Sequence, residues 1–143
     1  MTVWFDMDGT IADFYNVENW LEYLIAEDTT PYDVAKPMLN LSLLARYLNR
    51  LQKAGNEIGI VSWLAREKSP FFDTLVTNSK KNWLNRHLHS VNWDKVLIIP
   101  HGTNKYEITG GGILFDDEEG NRIAWGEGAY PPDQILEVLH DMI

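Results

Sequence analysis

Four short runs of apolar residues punctuate the chain, and each is too short to form a helix on its own. They cover residues 3–5, 58–61, 96–99 and 113–115. Continuous apolarity is typical of strands that are covered on both faces. The long gaps between the runs leave room for the helical crossovers that parallel strands need. The pattern therefore predicts an α/β fold with a parallel sheet.

Leucine spacing gives the clearest helix, over residues 41–53. The leucines recur there on one helical face, and Gly55 supplies a stop at the carboxyl end. Two further apolar stripes predict helices over residues 80–89 and 132–142. We expect both helices to cover the sheet.

Residues 13–40 interrupt the expected connection between the first strand and the first long helix. Aromatic and acidic residues fill this segment together with Pro31 and Pro37, and it is too long for an ordinary loop of an α/β unit. We interpret it as a small cap insertion over the site and call it the insertion. The 143-residue chain as a whole fits a single domain.

Composition excludes several classes of function. The absence of cysteine rules out disulfides, thiolate metal sites and a cysteine nucleophile. A formal net charge of -9 disfavours binding of long nucleic acids, although a metal held by carboxylates can still attract a small phosphate. The sequence has no apolar run of membrane-spanning length and no signal-peptide plan at its start. We therefore expect a cytoplasmic protein without a membrane partner.

Polar residues follow the predicted strands at their carboxyl ends. Asp6 follows the first run, Ser62 the second, and Asp116 and Asp117 the fourth, while Lys105 lies in the loop after the third. In an open parallel sheet, ligands bind in the crevice outside the carboxyl ends. We therefore expect these side chains to converge on one pocket.

The carboxylates in this set indicate a metal site. Asp6, Asp8 and one or both of Asp116 and Asp117 would repel one another strongly without a cation. Oxygen ligands without a nearby histidine or cysteine favour Mg²⁺, which usually keeps water or phosphate oxygens in its shell. The expected cofactor is Mg²⁺, and the expected ligand is a phosphate.

The remaining groups suit phosphoryl transfer. Ser62 offers a hydroxyl and Lys105 a compact positive charge, and both fit the non-bridging oxygens of a phosphoryl group. Aspartate can act as a nucleophile and form an aspartyl phosphate. In this hypothesis Asp6 attacks phosphorus, and Asp8 protonates the leaving oxygen before it activates the hydrolytic water.

Other residues near the predicted site carry weaker signals. Gly9 permits a tight turn after Asp8, and the hydroxyl of Thr10 could hold that turn or bind the phosphate. Lys80 and Lys81 are interpreted as a solvated helix face, and a contact of either with a phosphate is the alternative.

The order of these motifs resembles that of the haloacid dehalogenase superfamily, whose four motifs follow one another in the same way. Residues 6–14 and 102–105 are also similar to the corresponding segments of the 5'(3')-deoxyribonucleotidases and their phage and bacterial relatives. The matching motifs are Asp6-Met7-Asp8-Gly9-Thr10, Ser62, Lys105, and Asp116 with Asp117.

The resemblance implies a Rossmann-like three-layer sandwich with a central parallel sheet and a small cap. It implies that Asp6 is the nucleophile, Asp8 the acid and base, and Lys105 the group that stabilises the phosphorylated aspartate. The Asp6 carboxylate, the Asp8 backbone carbonyl and Asp117 would hold Mg²⁺, with Asp116 close behind. The choice between Asp116 and Asp117 as the direct ligand stays open.

Three further residues would contact the substrate by the same resemblance. Ser62 would bind the phosphate, and Phe14 lies where the nucleotidases place an aromatic ring against the base. Such a stack could contribute roughly 1–3 kcal/mol. Trp63 departs from the pattern, because many relatives carry a smaller residue there, and it leaves the width of the substrate site open.

The resulting hypothesis is a Mg²⁺-dependent phosphomonoesterase, most simply a 5'-nucleotidase acting on small (deoxy)nucleoside monophosphates. The expected partner is a small phosphorylated substrate, and the oligomeric state stays open. One alternative is a phosphatase for a sugar phosphate or another small phosphoester, because the motifs describe the phosphate and not its leaving group. The other is a non-catalytic domain that binds a nucleotide or phosphate.

Overall fold

Five parallel strands form one sheet in the computed structural model, which describes all 143 residues. The strand order is β3-β2-β1-β4-β5, and the four apolar runs supply the first four strands as predicted. The fifth strand has only two residues and therefore carries no apolar run that the sequence could reveal. The strands are β1 (Thr2–Phe5), β2 (Glu57–Trp63), β3 (Lys95–Ile99), β4 (Ile113–Phe115) and β5 (Ala129–Tyr130).

Strand β1 lies at the centre of the sheet, between β2 and β4. Its last residue, Phe5, is in register with Ile60 on one side and with Phe115 on the other. The N–H of Asp6 continues the ladder by donating to the Phe115 carbonyl at 2.9 Å. The chain therefore leaves the central strand at Asp6, where the ends of both neighbouring strands are within reach.

Seven helices connect and cover the strands, and the predicted helix over 41–53 is present with the same bounds. The helix predicted over 80–89 ends at His87 and begins earlier, at Pro70, because Ser69 caps its amino end and Pro70 occupies its first turn. The predicted last helix begins as a short 3-10 turn before it becomes α-helical. The helices are α1 (Trp20–Ile25), α2 (Thr30–Val34), α3 (Leu41–Lys53), α4 (Pro70–His87), α5 (Lys105–Thr109), α6 (Glu119–Trp125) and α7 (Ile135–Met142).

The two faces of the sheet bury separate clusters of side chains. Val3 and Phe5 point into the larger cluster, to which α3, α4 and α7 contribute. Trp4 points to the opposite face and packs in a smaller cluster with Trp125 of α6. Alternate residues of β1 thus serve opposite faces, as the pleat requires. The result is a three-layer α/β arrangement.

The insertion consists of a 3-10 turn and the short helices α1 and α2, and it packs against α4. Two side chains of α4 hold it in place. Trp83 donates its indole N–H to the Ala35 carbonyl at 2.8 Å, and Arg86 donates to the Asp33 carbonyl at 2.6 Å. The insertion therefore rests on α4, beside the carboxyl ends of the strands. None of the seven helices has the length and apolarity to cross a membrane.

Candidate active site

The loop after β1 makes a tight turn around the carbonyl of Met7. That oxygen accepts backbone N–H groups from all three residues of the segment 10–12, each at 3.0 Å. Gly9 has a φ of +80°, and a Cβ atom there would lie 2.4 Å from Asp117 Oδ2. Glycine is required at this point by both conformation and space. The turn brings the loops after β1 and β4 into contact.

Lys105 bridges two carboxylates at the centre of the site. Its Nζ lies 3.1 Å from Asp6 Oδ1 and 2.7 Å from Asp116 Oδ2, and all three residues are buried. Lys105 is the first residue of α5, which Asn104 caps by accepting the N–H of Glu107 at 3.0 Å. Burial lowers the pKa of Lys105, but the two carboxylates outweigh it and leave the pKa above its usual value. Lys105 is therefore charged here.

Asp116 and Asp117 follow β4 but have different surroundings. Asp116 is fully buried and its oxygens accept from Lys105, Asn121 and the N–H of Glu118. Asp117 is exposed as a residue, although its carboxylate lies against Gly9. Desolvation, followed by repulsion from Asp6, raises the pKa of Asp116 to about 6 and that of Asp117 to about 8.

The carboxylates are arranged in a way that fits a divalent cation. Oxygens of Asp6, Asp116 and Asp117 all lie within 4.8 Å of one another. Together with Asp8 these residues bring four carboxylates to the site, against only two ammonium groups, those of Lys80 and Lys105. The donor atoms are all oxygen, which is what Mg²⁺ prefers. The residues present therefore fit the expected metal in both charge and chemistry.

Lys80 is a functional candidate that the sequence analysis assigned to a solvated helix face, with a phosphate contact only as the alternative. It lies at the site and not on a solvated helix face, and only 1% of it is exposed. Its Nζ donates to Ser62 Oγ and to the Trp63 carbonyl, both at 2.7 Å, and lies 3.1 Å from Asp8 Oδ2. A signal was available, because Lys80 shares one face of α4 with apolar residues at helical spacing. These neighbours are Phe72, Val76 and Trp83.

Asp8 lies beside Asp6 but has its own cationic partner. Its side chain is 16% exposed and lines a cavity at the carboxyl ends of the strands. Burial is the largest influence on its pKa, the charge of Lys80 opposes it, and repulsion from Asp6 adds to it. The pKa of Asp8 is raised as a result, which favours a protonated carboxyl at this point.

Thr10 braces the two loops and does not reach the cavity. It is 1% exposed, its hydroxyl donates to Asp6 Oδ2 at 3.1 Å, and it accepts the N–H of Asp117 at 3.1 Å. Of the two roles expected for this hydroxyl, holding the turn is the one its contacts support. Gly9 acts in the same way, through the turn, and neither residue lines the cavity.

A cavity of about 420 Å³ opens beside these groups. Ser62 and Trp63 line it together with Tyr15 and Trp20 of the insertion. Trp63 also holds the loop that precedes Lys105, because its indole N–H donates to the Thr103 carbonyl at 2.9 Å. The cavity is therefore polar at the strand ends and aromatic toward the insertion.

The expectation that Phe14 stacks on a base is corrected by its burial. Phe14 lies in the cavity wall, but only 2% of it is exposed. Its ring packs against Tyr32 at 4.7 Å and Trp20 at 5.5 Å between centroids. Tyr15, at 51% exposed, has far more area to offer a planar group. Phe14 therefore supports the aromatic wall from behind.

Solved structures that are similar in fold include two phosphatases. One is D,D-heptose 1,7-bisphosphate phosphatase from Burkholderia thailandensis, with a TM-score of 0.59 and 15% identity, and 99% of this chain aligns with 97% of that one. The other is D,D-heptose 1,7-bisphosphate phosphatase from B. bronchiseptica in complex with magnesium and phosphate, with a TM-score of 0.57, 12% identity and the same coverage.

At this level of identity the likeness shows the fold, which is the haloacid dehalogenase-like α/β arrangement expected from the motifs. No protein-family model matches the sequence, and the search of curated proteins gives no match.

Proposed function

We propose that this chain is a Mg²⁺-dependent phosphomonoesterase that forms a phosphoryl intermediate on Asp6. The observation that carries the proposal is the place of the Asp6 carboxylate, at the carboxyl end of the central strand and 3.1 Å from Lys105 Nζ. It shares this place with the oxygens of Asp116 and Asp117. A nucleophile, a cationic side chain and a set of metal ligands thus meet at one point, which is what phosphoryl transfer needs.

The reaction follows from the groups around Asp6. A carboxylate oxygen of Asp6 forms a bond to phosphorus while the bond between phosphorus and the leaving oxygen breaks. Asp8, whose raised pKa favours the protonated form, gives its proton to that oxygen, and the alcohol departs. Water then bonds to phosphorus, Asp8 takes a proton from it, and the bond to Asp6 breaks to release inorganic phosphate. Lys105 stabilises the negative charge that develops beside Asp6.

The metal ligands we propose are the carboxylates of Asp6 and Asp117 and the backbone carbonyl of Asp8. Asp116 is less available, because both of its oxygens already accept protein donors. When bound, Mg²⁺ would neutralise charge on the phosphoryl oxygens. The magnesium and phosphate in the structurally similar phosphatase from B. bronchiseptica support this choice of ion.

Two substrate classes fit the cavity. We propose a small (deoxy)nucleoside 5'-monophosphate as the first, because Tyr15, Trp20 and Trp63 surround the space beside the phosphate groups and aromatic rings bind bases by stacking. A sugar phosphate is the second, supported by the substrates named for the two similar structures. In either case the insertion, residues 13–40, would act as a small cap that supplies the aromatic wall.

The test is a phosphate-release screen over nucleoside monophosphates, sugar phosphates and p-nitrophenyl phosphate, with Mg²⁺ or with EDTA. We expect release that depends on Mg²⁺ and that Asp6→Asn lowers by at least about 10³-fold, because an amide cannot form the intermediate. Asp133→Asn, which changes an exposed aspartate of the carboxyl-terminal 3-10 turn, is the matched control. Binding without turnover of any substrate would instead favour the non-catalytic alternative.

A further inference from the structure

Lys80 contributes a second buried ammonium group to the site, in addition to that of Lys105. Its Nζ has an oxygen of Asp8, an oxygen of Ser62 and the Trp63 carbonyl within 3.1 Å. A lysine ammonium has three N–H donors. Three protein acceptors match these donors, so none is left over for a phosphoryl oxygen. Lys80 therefore acts through its neighbours and not by touching the substrate.

A purely structural role does not account for a lysine at this place. Burying an ammonium group is costly unless its charge and all its donors are matched, and an apolar residue would pack α4 against the sheet without that cost. The aromatic ring of Tyr32 lies 5.4 Å from Nζ and closes the other side. The next residue, Lys81, is exposed. The charge at residue 80 thus serves the site and not the solubility of the helix.

The contacts of Lys80 constrain both groups that it holds. The contact of Nζ with Oδ2 at 3.1 Å fixes the direction of the Asp8 carboxyl, on which proton transfer depends. At Ser62 the hydroxyl oxygen accepts from Lys80, and its own O–H donates to no protein group. A hydroxyl that accepts one hydrogen bond can still donate another. The Ser62 O–H is thereby left to donate into the cavity.

We propose that Lys80 is a positioning residue, which aligns Asp8 for proton transfer and directs the Ser62 hydroxyl toward the phosphoryl group. This inference rests on the proposed phosphatase function and extends it beyond the four motifs.

A double-mutant cycle between Lys80→Met and Asp8→Asn tests the inference, with kcat measured on p-nitrophenyl phosphate. We expect Lys80→Met alone to lower kcat about 10- to 100-fold, because a misaligned Asp8 loses only part of the roughly 10²- to 10⁴-fold that general acid and base catalysis supplies. In the Asp8→Asn background we expect less than about a threefold further loss, because residues that act as a unit are not additive. Lys81→Met, the matched control on the same helix, should leave kcat within about twofold of wild type.

Inhibition by inorganic phosphate tests the part of the proposal that concerns Ser62. Lys80→Met should weaken that inhibition about 3- to 10-fold. In the Ser62→Ala background, Lys80→Met should cause little further weakening, because the hydroxyl that it directs is already absent. Circular dichroism and thermal unfolding of each variant show whether it folds. If Lys80→Met does not fold, the cycle is run with Lys80→Gln, which keeps a shorter and uncharged polar group.

The outcomes separate this inference from the proposed function. Equal losses of kcat in both Asp8 backgrounds would overturn the positioning role and assign Lys80 to packing alone. In that case the proposed phosphatase function still stands, provided that the wild type releases phosphate with Mg²⁺. If the wild type releases no phosphate from any substrate, both proposals are rejected together.

Discussion

Each aspartate of the site has a different set of partners, and these partners divide the work between chemically identical side chains. Asp116 accepts three protein donors, Asp6 accepts from Lys105 and Thr10, and Asp8 pairs with Lys80. Asp117 is the most accessible of the four. The most thoroughly hydrogen-bonded carboxylate is thus suited to holding Lys105 in place, and the accessible one to binding an ion.

The contacts of Lys105 predict a large effect of Lys105→Met on both activity and stability. We expect phosphate release to fall about 10²- to 10³-fold, the usual cost of losing one group that stabilises developing charge. We also expect about 3–5 kcal/mol lower stability in EDTA, because the substitution leaves Asp6 and Asp116 buried without their cation. Steady-state kinetics and urea unfolding measure the two effects.

Lys53→Met, at the exposed carboxyl end of α3, is the control for Lys105→Met. It should change neither activity nor stability appreciably, since isolated surface charges contribute little. Wild-type turnover by Lys105→Met would remove Lys105 from the proposed mechanism.

At the scale of elements, the strands were predictable because burial on both faces leaves apolar runs in the sequence. Their carboxyl ends converge by the geometry of a parallel sheet, so the meeting of Asp6, Lys105 and Asp116 could be predicted as well. Lys80 could not be placed by strand ends. Its orientation is set by how the 18-residue helix α4 packs, and a second apolar stripe of that helix, at Phe71 and Leu75, is exposed, so the sequence does not show which stripe is buried.

The burial of Phe14 could not be predicted from the motif alone either. Its ring is covered by Tyr32, which lies 18 residues along the chain inside the insertion. Contacts between the parts of a short irregular segment depend on its turns, and its two short helices carry little periodic signal. Local sequence thus predicts which aromatic residues lie near the site but not which of them face the cavity.

Packing between β1 and β2 predicts that Gly59→Ala destabilises the sheet. A Cβ atom at Gly59 would lie 2.5 Å from the Trp4 ring, which is itself 1% exposed and has no free space to move into. We expect a loss of about 1–3 kcal/mol in the free energy of unfolding, measured by urea denaturation.

Gly120→Ala in α6 provides the contrasting control for Gly59→Ala. A Cβ atom at Gly120 meets nothing closer than Glu118 Oε1 at 3.8 Å, so the change should stabilise the protein by about 0.5–1 kcal/mol. A loss of similar size from both substitutions would contradict the packing argument, since only Gly59 has the ring against it.

The attachment of the insertion to α4 predicts a loss of stability in Trp83→Phe that is centred on the insertion. The substitution removes the indole donor to the Ala35 carbonyl and leaves that acceptor without this partner. We expect about 1–3 kcal/mol lower stability from the unmet acceptor and the lost volume. Faster hydrogen exchange in residues 30–36, measured by mass spectrometry, would locate the change in the insertion. Unchanged exchange there would mean that other contacts hold this segment.

At the scale of the whole molecule, the chain has an excess of acidic residues, and the candidate site has a concentration of carboxylates. The chain carries a formal charge of -9, and the carboxylates of Asp6, Asp116 and Asp117 are gathered within 4.8 Å. Such a concentration opposes folding when no cation is bound, because like charges are held together. The protein as a whole should therefore respond to Mg²⁺ with a change in stability as well as in activity.

The raised pKa of Asp117, about 8, makes that response depend on pH. A carboxyl whose pKa is higher in the folded state binds a proton more tightly there, so stability in EDTA falls as pH rises from about 4 toward 8. Mg²⁺ competes with that proton and relieves the repulsion. Saturating Mg²⁺ should therefore raise the Tm by about 5 °C or more at pH 8 and by clearly less at pH 5.5.

Differential scanning fluorimetry with Mg²⁺ or EDTA at both pH values measures this difference, and Asp117→Asn identifies its source. Without the carboxylate we expect a higher Tm in EDTA at pH 8 and most of the Mg²⁺ response to be lost, because repulsion and ion binding depend on the same group. Asp13→Asn changes an aspartate that is not one of the clustered site aspartates, and it should keep the full Tm response to Mg²⁺. A Mg²⁺ shift that is equal at both pH values, or that survives in Asp117→Asn, would place the ion elsewhere.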